Sequence, residues 1–425
     1  MEGVAFPTSF EGWVESLPND LLQVISIISE SEGGVWIVGG SIRQGLRGVI
    51  PEDYDLATTL LPEKVMEIFG PNNSIDIGAK YGTVSVRVES GGNWYEVTTL
   101  RCDQDYLDGR RPESVHFGNS LLEDLERRDL TINAMAIDLA RQQLYDPFGG
   151  LKDLDNSILR AVGDASTRLS EDGLRVMRAY RFMDQGDAGV WRPDDDLASA
   201  LRECQHMLGN ISIERIWQEL RRILSGKNAA QVLEQMSQDG VLNTIFDGDH
   251  YDLTGQDEIT ESSDDLLEVR LAMMFKNVNS SKLMKRLKMP NSIITEVNDL
   301  INRISHLPDE NSVHQLRLYR AVLGGRLNQQ LICESALKTD RVERVKSSLT
   351  SLPENRVDVL PLADGNWIAE TTGLTKGVKL GRLKEWLHRI QVEEDLVNLE
   401  EVQNRLNQLP WQEGNPTEWP RFRWP

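Results

Sequence analysis

The chain has 425 residues, of which 40% are hydrophobic and 27% are charged, and its formal net charge is −21. This composition is ordinary for a globular protein of several domains. The acidic excess argues against a nucleic-acid binder. The wide spacing of Cys102, Cys204 and Cys333 argues against a disulfide framework or a zinc knuckle. Neither a secretion signal nor an apolar run of about 18 residues is present, so we expect a cytoplasmic protein without membrane partners.

The residues up to about 155 alternate strand and helix signals. The apolar run 35–38 ends at Gly39-Gly40, which predicts a buried strand, a tight turn and then a helix at residues 41–45. Further strands are predicted at residues 55–59, 83–88 and 94–99, and Pro62-Glu63 indicates the start of a helix over residues 62–69. We therefore expect a small mixed sheet with helices.

From about residue 157 onward, helical periodicity replaces the strand signals. The predicted helices cover residues 171–183, 213–224, 229–236, 266–275, 280–287, 292–304 and 381–393. The stretch 247–265 is rich in Asp, Glu, Ser and Gly and is expected to be an exposed loop. The tail 409–425 contains Trp411, Trp419 and Trp424, which we expect to pack on the helices, although they could also stack on nucleobases.

Two groups of residues in the first part of the chain could carry chemistry. Gly39-Gly40, between a strand and a helix, lets an anion such as a triphosphate approach the backbone N–H groups, although such a turn is more often only structural. Asp53 and Asp55, if both lie on a strand, point to the same face and suit Mg²⁺, which prefers oxygen ligands. Glu96 on a neighbouring strand could complete the site, whereas a lone Asp-x-Asp pair is usually part of a solvated loop.

A longer pattern decides between these interpretations. Gly39-Gly40-x-Ile42-Arg43 is followed by Asp53-x-Asp55 and then by the unusual block Arg-Arg-Asp-Leu-Thr-Ile-Asn-Ala-Met-Ala at residues 127–136. This order resembles the class II tRNA nucleotidyltransferases and the bacterial poly(A) polymerases. The resemblance is strong over residues 33–245, where it includes the blocks 146–150, 171–175 and 214–220, and it is weak beyond them.

The resemblance implies an α+β fold and an RNA substrate. A nucleotidyltransferase head with a mixed sheet and helices is expected first, followed by all-helical neck, body and tail domains, with boundaries at residues 1–155, 156–225, 226–350 and 351–425. The head is expected to bind CTP or ATP and two Mg²⁺ ions, and the helical domains are expected to hold the acceptor arm of a tRNA. We expect neither DNA nor a membrane as a partner.

The resemblance also implies individual roles. Asp53 and Asp55 match the family's catalytic metal ligands, whose two Mg²⁺ ions activate a 3′ hydroxyl and stabilise pyrophosphate, and Glu96 matches its third carboxylate. The residues that match the contacts to the triphosphate and the ribose are Gly39, Gly40, Arg43, Arg128, Asp129 and Asn133. Gln44 stands where the family usually has Asp, and we expect it to tune activity without abolishing it.

Glu171, Asp172 and Arg175 resemble a nucleobase template made of protein. Asp172 and Arg175 are three positions apart in a predicted helix and are therefore expected to share a face. The carboxylate can accept from the amino group of cytosine or adenine, whereas uracil and guanine present a carbonyl and leave a buried charge unsatisfied at a cost of about 1–3 kcal/mol. The alternative is a surface ion pair that contributes roughly 0.2–0.5 kcal/mol.

Arg178 belongs to a row of arginines whose role the sequence leaves open. The row could bind phosphates, or it could form salt bridges with acidic residues of the same segment. Its members are Arg168, Arg175, Arg178 and Arg181. For Arg178 we expect a contact with the nucleotide.

Several activities share this scaffold, so the fold cannot choose among them. Residues 101–117 keep a full connecting segment that resembles the flexible loop needed to switch to ATP, which CC-adding enzymes shorten. We therefore expect addition of CCA to tRNA from CTP and ATP without a nucleic-acid template, with an A-adding enzyme or a poly(A) polymerase as the alternatives. A non-catalytic RNA-binding relative and an antibiotic nucleotidyltransferase are disfavoured, because the Asp-x-Asp pair and the block 171–175 are both intact.

Overall fold

The computed structural model describes residues 1–7, 10–102, 116–260 and 266–425. The chain forms two compact units, Met1–Asp249 and His250–Pro425. The domain boundaries expected near residues 155, 225 and 350 remain predictions. None of the described helices combines the length and the apolar character that crossing a bilayer requires.

The first unit is built around a mixed β-sheet. Within the described residues its strands, β1 to β8 in chain order, are Val4–Ala5, Val35–Val38, Asp55–Thr58, Ser74–Gly78, Thr83–Val86, Tyr95–Thr99, Ala136–Asp138 and Gln143–Tyr145. They lie in the order β1-β8-β7-β2-β3-β6-β5-β4. Among them β3 and β6 are the one parallel pair. Two further strands, β9 (Ile158–Leu159) and β10 (Arg192–Pro193), pair with each other in parallel.

Helices surround and extend this sheet. In the described part of the first unit they are α1 to α12, namely Glu11–Glu15, Asn19–Glu30, Gly40–Leu46, Pro62–Phe69, Leu121–Glu126, Gly150–Asp155, Ala165–Glu171, Leu174–Met183, Asp195–Glu203, Ile213–Leu224, Ala229–Gln238 and Val241–Ile245. The prediction that helices dominate after residue 157 is confirmed, since only the two-residue strands β9 and β10 interrupt them in the described chain.

One face of the sheet forms the core of the unit. Buried side chains are aligned across β7, β2, β3, β6 and β5, and these are Ile137, Ile37, Leu56, Val97 and Val84. The apolar sides of α2 and α4 pack against them. Because side chains alternate along a strand, Asp55 and Glu96, next to Leu56 and Val97, point to the opposite face.

The sequence predicts β2, β3, β5 and β6 with small errors at their ends. It misses β4, although Ser74-Ile75-Asp76-Ile77 alternates polar and apolar residues. In the structure no residue of this strand is buried, and Ile75 and Ile77 are both exposed. The sequence also misses β7 and β8, which have 3 residues each and are too short to show a period.

The prediction of one continuous helix over residues 171–183 is wrong. α7 ends at Glu171, Asp172 is extended at φ −144°, and α8 begins at Leu174. The backbone passes close to a neighbour at this break, because a Cβ on Gly173 would lie 2.5 Å from the carbonyl oxygen of Met207. Asp172 and Arg175 therefore do not share a helical face.

The second unit is helical. In the described residues its helices, α13 to α21, are Leu267–Phe275, Ser280–Arg286, Asn291–Arg303, Val313–Leu323, Leu327–Ala336, Val342–Ser351, Gly365–Thr372, Val378–Glu394 and Leu399–Leu406. One apolar cluster joins α16 to α18 and another joins α19, α20 and α21. Trp419 and Trp411 pack in the latter and Trp424 packs in the former, as expected for the tail.

The described part of the acidic stretch 247–265, residues 247–260, is not simply an exposed loop, and residues 261–265 lie outside the described residues. Gln256 and Ile259 are buried, and their carbonyl oxygens accept hydrogen bonds from the guanidinium of Arg270, which is 1% exposed. The Gln256 amide donates to the carbonyl oxygen of Arg270 in return. The composition of the stretch could not indicate this, because the partner lies on α13.

Candidate active site

Asp55 and Glu96 lie side by side on the sheet face opposite the core. They are register partners in the parallel pair of β3 and β6, and both are exposed on that face. The expectation that Asp53 also lies on the strand is wrong, because β3 begins at Asp55 and Asp53 belongs to the preceding loop. Asp53 is nevertheless near enough for its charge to raise the pKa of both carboxyl groups.

Asp53, Asp55 and Glu96 form a mutually repelling group. Although Asp55 is accessible to solvent, desolvation by the surrounding protein raises its pKa, and the shift is opposed by Arg128 and increased by Asp53. Desolvation, followed by the charges of Asp55 and Asp53, likewise raises the pKa of Glu96. Across the described residues, no three His, Cys, Asp or Glu side chains converge closely enough to hold a metal ion unaided. A cation here would have to complete its shell with phosphate and water oxygens.

The turn after β2 brings backbone close to these carboxylates. Gly39 has φ 78°, and a Cβ at this position would lie 3.3 Å from Oδ2 of Asp55 and 3.5 Å from Nη1 of Arg128. A side chain here would be strained and would fill the space between the backbone and the carboxylate. α3 begins at Gly40, so the predicted order of strand, glycine turn and helix is confirmed.

A cavity of about 510 Å³ opens beside the turn and the sheet face. The predicted site residues that line it are Gly39, Gly40, Arg43, Asp55, Arg128, Asp129, Asn133, Asp172, Arg175 and Arg178. Asp53, Glu96 and Glu171 are not among its lining residues. The structure thus brings together residues from four separate sequence blocks, while their individual roles remain proposals.

Asp124 holds the two arginines at the start of the Arg-Arg-Asp block. It is 1% exposed and accepts from Nη2 of Arg127 at 2.9 Å and from Nη2 of Arg128 at 3.2 Å. Burial alone would raise the pKa of Asp124, but the two guanidinium groups outweigh burial and lower it. Because Arg127 and Arg128 both line the cavity, Asp124 fixes part of its positive wall from behind.

Asp129 is the centre of a second network. Its Oδ1 accepts from the Asn133 amide at 3.0 Å and its Oδ2 pairs with Arg178 at 2.7 Å. Arg43 donates to the side-chain oxygen of Asn133. Burial opposes ionisation of Asp129, but Arg178 and Asn133 outweigh it and hold its pKa well below the usual value. The network joins α3, α8 and the Arg-Arg-Asp block.

Asp172 and Arg175 reach the cavity from either side of the break between α7 and α8. Arg175 donates to the Glu171 carboxylate, to the Arg168 carbonyl oxygen at 2.8 Å and to the Arg127 carbonyl oxygen at 2.7 Å. In the described chain the ion-pair partner of Asp172 is Arg215, at 3.1 Å. The alternative of a simple ion pair between Asp172 and Arg175 is therefore wrong.

The structure divides the arginine row between two kinds of ion-pair partner. Arg168 and Arg175 pair with Glu171, as the salt-bridge interpretation expects. Arg178 and Arg181 instead pair with acidic residues remote in sequence, Asp129 and Glu219, and these two arginines also line the cavity together with Arg175.

Among the residues of this site that sequence reasoning misses are Asp124 and Phe182. Asp124 does have a signal, since it precedes Arg127 and Arg128 by the i, i+3 and i, i+4 spacing of helical ion pairs. Phe182 has none, because it resembles any apolar residue of an amphipathic helix. Its ring contacts the guanidinium groups of Arg43, Arg178 and Arg181.

Comparison with known families agrees with this geometry. Residues 35–160 match the family described as "Poly A polymerase head domain", and residues 192–250 match "Probable RNA and SrmB- binding site of polymerase A". A strand-borne carboxylate beside a glycine turn and an arginine-lined cavity provides groups for a metal ion and for phosphates. The fold and the site therefore define a nucleotidyltransferase.

The chain is 31% identical over 398 residues to a CCA-adding enzyme of Leuconostoc mesenteroides, which covers 91% of this chain and 95% of that protein. The present chain therefore belongs to the family of the CCA-adding enzymes. A CCA-adding enzyme of Geobacillus stearothermophilus is 33% identical over 353 residues, 79% of either chain.

Solved structures show the same fold. The crystal structure of the Bacillus stearothermophilus CCA-adding enzyme in complex with CTP has a TM-score of 0.72 at 27% identity and covers 95% of this chain and 99% of that one. The Thermotoga maritima CCA-adding enzyme complexed with tRNA has a TM-score of 0.65 at 22% identity over 92% and 97% of the two chains, a likeness of fold alone. The predicted α+β class, a mixed-sheet head followed by helices, is confirmed.

Proposed function

We propose that the chain adds CCA to the 3′ end of tRNA from CTP and ATP, without a nucleic-acid template. The terminal 3′ hydroxyl of the RNA attacks the α-phosphate of the nucleotide, and pyrophosphate leaves. CCA-adding enzymes that are 31% and 33% identical over most of their length support this activity. So do related structures described as complexes with CTP and with tRNA.

One observation carries the proposal: Asp172 and Arg175 line the same cavity as Gly39 and Asp55. A nucleotide whose phosphates lie at the glycine turn can therefore present its base to a carboxylate and a guanidinium. The carboxylate can accept from the amino group of cytosine or adenine, whereas a carbonyl of uracil or guanine offers it no donor, and the missing hydrogen bond costs about 1–3 kcal/mol. Selection of C and A by protein groups is what addition without a template requires.

Glu171 supports this selection from outside the cavity. It accepts from Arg175, while the carbonyl oxygens of Arg168 and Arg127 accept from the same guanidinium. Three acceptors, two on α7 and one at Arg127, fix the plane of this group before a nucleotide binds, which preserves the geometry of base recognition. We assign the orientation of Arg175 to Glu171, and the contacts with the base to Asp172 and Arg175.

Asp53 and Asp55 would hold two Mg²⁺ ions, with Glu96 as the third carboxylate. The donor set fits such ions, because within the described residues no hydrogen bond or ion pair satisfies these three carboxylates. Desolvation, and then the charge of Asp53, raises the pKa of Asp55 and Glu96, so negative charge at this place calls for a cation. Bound Mg²⁺ supplies activation of the attacking hydroxyl and stabilisation of the phosphate charge.

The remaining residues would position the triphosphate and the ribose. Gly39 and Gly40 let the phosphates approach the backbone, and Arg43, Arg128 and Arg178 supply positive charge. Asn133 can contact the ribose through its side-chain amide. Asp129 acts indirectly in this scheme, since it holds Asn133 and Arg178 in place.

An A-adding enzyme and a poly(A) polymerase are the alternatives, and the match to a poly(A) polymerase head favours considering the second. The segment expected to separate these activities lies largely within residues 103–115, outside the described residues.

Three tRNA transcripts separate the candidates: one that ends before the CCA, one that ends after C and one that ends after CC. Each is incubated with the chain, Mg²⁺ and labelled CTP or ATP, with UTP and GTP as controls for selectivity. We expect C, C and A to be added in turn to the shortest transcript. A single A on the CC-ended transcript alone would identify an A-adding enzyme, and runs of A on all three would identify a poly(A) polymerase.

A further inference from the structure

Three arginines converge on one aromatic ring at the wall of the cavity. The guanidinium carbons of Arg181, Arg43 and Arg178 lie 4.4, 4.8 and 5.4 Å from the ring centroid of Phe182. Arg43 comes from α3, whereas the other three residues belong to α8. All four line the cavity, and the ring is 8% exposed. We refer to Arg43, Arg178 and Arg181 as the arginine fan.

The arginine fan holds more positive charge than its acidic partners balance. Arg178 pairs with Asp129 and Arg181 pairs with Glu219, but Arg43 donates to the neutral Asn133. Burial lowers the pKa of Arg43, with Asp129 opposing and Arg181, Arg47 and Arg178 adding to the shift. The cations therefore repel one another in the absence of an anion, and a ligand of high negative charge would relieve that repulsion.

The ring offers these cations a partner that does not consume their hydrogen-bond donors. A guanidinium is attracted to the face of an aromatic ring within about 6 Å of its centroid. It is planar, so contact through its face leaves the N–H edge directed elsewhere, and that edge matches the oxygens of a phosphate. An aliphatic side chain of similar volume would fill the same space without attracting any of the three.

We propose that Phe182 is a positioning residue for the triphosphate of the incoming nucleotide, because its ring holds the arginine fan together at the cavity wall. This inference rests on the proposed function of the same site and adds a residue to which neither the family pattern nor the comparisons assign a role. The nucleobase end of the cavity, at Asp172 and Arg175, is predicted to be independent of the ring.

The test uses inorganic tripolyphosphate, which has neither base nor ribose, and titrates it calorimetrically into the full chain in the presence of EDTA. Phe182→Leu should weaken binding by about tenfold, since three cation–π contacts are lost. Phe182→Tyr keeps the ring and should bind like the wild type. Phe69→Leu is the matched control, because Phe69 is also 8% exposed but packs in the apolar core of the sheet, and it should leave affinity unchanged.

The steady-state kinetics of C addition to tRNA provide an independent test of the role of Phe182. Phe182→Leu should raise KM for CTP by about tenfold with little change in kcat, and the preference for CTP over UTP should persist. Equal loss of affinity in the Leu and Tyr variants, or in the Phe69 control, would overturn the inference. If the wild type does not add CCA but tripolyphosphate binding still depends on the ring, the proposed function fails and the role of Phe182 stands.

Discussion

Charged groups are buried in both units of the chain, but their partners differ. In the first unit, Asp124 and Asp129 are buried behind the cavity wall and pair with arginines that line it. In the second unit, the guanidinium of Arg270 is enclosed by the carbonyl oxygens of Gln256 and Ile259. The ion pairs of the first unit leave arginine side chains at the cavity wall, where a ligand can reach them. In the second unit, the charge of Arg270 only holds a turn of the backbone together. The position of the partner, and not burial itself, separates a functional charge from a structural one.

The largest effect is expected at the cavity carboxylate. Asp55→Asn should lower the rate of C addition to tRNA by more than about 100-fold, since even groups one shell removed from a metal ligand contribute 10–100-fold. Stability should not fall, because the pKa of Asp55 is raised and its negative charge is therefore unfavourable in the folded protein. Single-turnover rates and thermal unfolding test both statements. Retained activity together with a lowered Tm would place Asp55 with the structural charges.

The opposite pattern is expected for Arg270. Arg270→Met should reduce the free energy of unfolding by about 3 kcal/mol, because buried carbonyl oxygens lose their donors at about 1–3 kcal/mol each. The affinity for CTP should remain at the wild-type value at temperatures where the variant is folded. Urea denaturation and CTP titration are the measurements, and Arg270→Lys provides a milder variant if the first does not fold. A weaker affinity for CTP with unchanged stability would show that Arg270 has a functional role and not a structural one.

A smaller effect is expected for Asp124. Asp124→Asn keeps the shape but removes the charge that holds Arg127 and Arg128, so KM for CTP should rise by about tenfold. The matched control is Asp239→Asn, because Asp239 is also buried but accepts a hydrogen bond from the Tyr180 hydroxyl at 2.8 Å. The control should lose stability without a change in KM. Equal KM values in the two variants would show that burial alone governs the outcome.

The smallest effect concerns pH. The pKa values of Asp55 and Glu96 are raised, so these groups bind protons at a higher pH than ordinary carboxyl groups. The Mg²⁺ concentration for half-maximal activity should therefore increase as pH falls below neutrality, because the cation must displace those protons. Glu96→Gln should flatten this dependence. Folding stability should change with pH in the opposite direction to Mg²⁺ binding. A raised carboxyl pKa favours the folded state at low pH, and this contribution is lost as pH rises.

Local sequence patterns predict the features that depend on neighbouring residues. The apolar run of β2, the Gly39-Gly40 turn and the exposure of Asp55 are of this kind. The patterns fail where a partner is remote: Asp172 pairs with Arg215, and Asp129 pairs with Arg178, on segments that come together only when the helices pack. The sequence also fails to predict the helix break at Gly173, for a related reason. The close approach of the Met207 backbone does not alter the spacing of apolar residues around the break.

The position of β2 within the sheet has a consequence for synthesis on the ribosome. One edge of β2 pairs with β3 soon after both are made, but its other edge pairs with β7, where Ile37 faces Ile137. At a synthesis rate of about 5–20 residues per second, that edge waits about 5–20 s for its neighbour. During this interval the apolar Val-Trp-Ile-Val strand presents unpaired N–H and C=O groups to other nascent chains. The strand that leads into the glycine turn is thus also a segment that a chaperone would have to shield while the chain is incomplete.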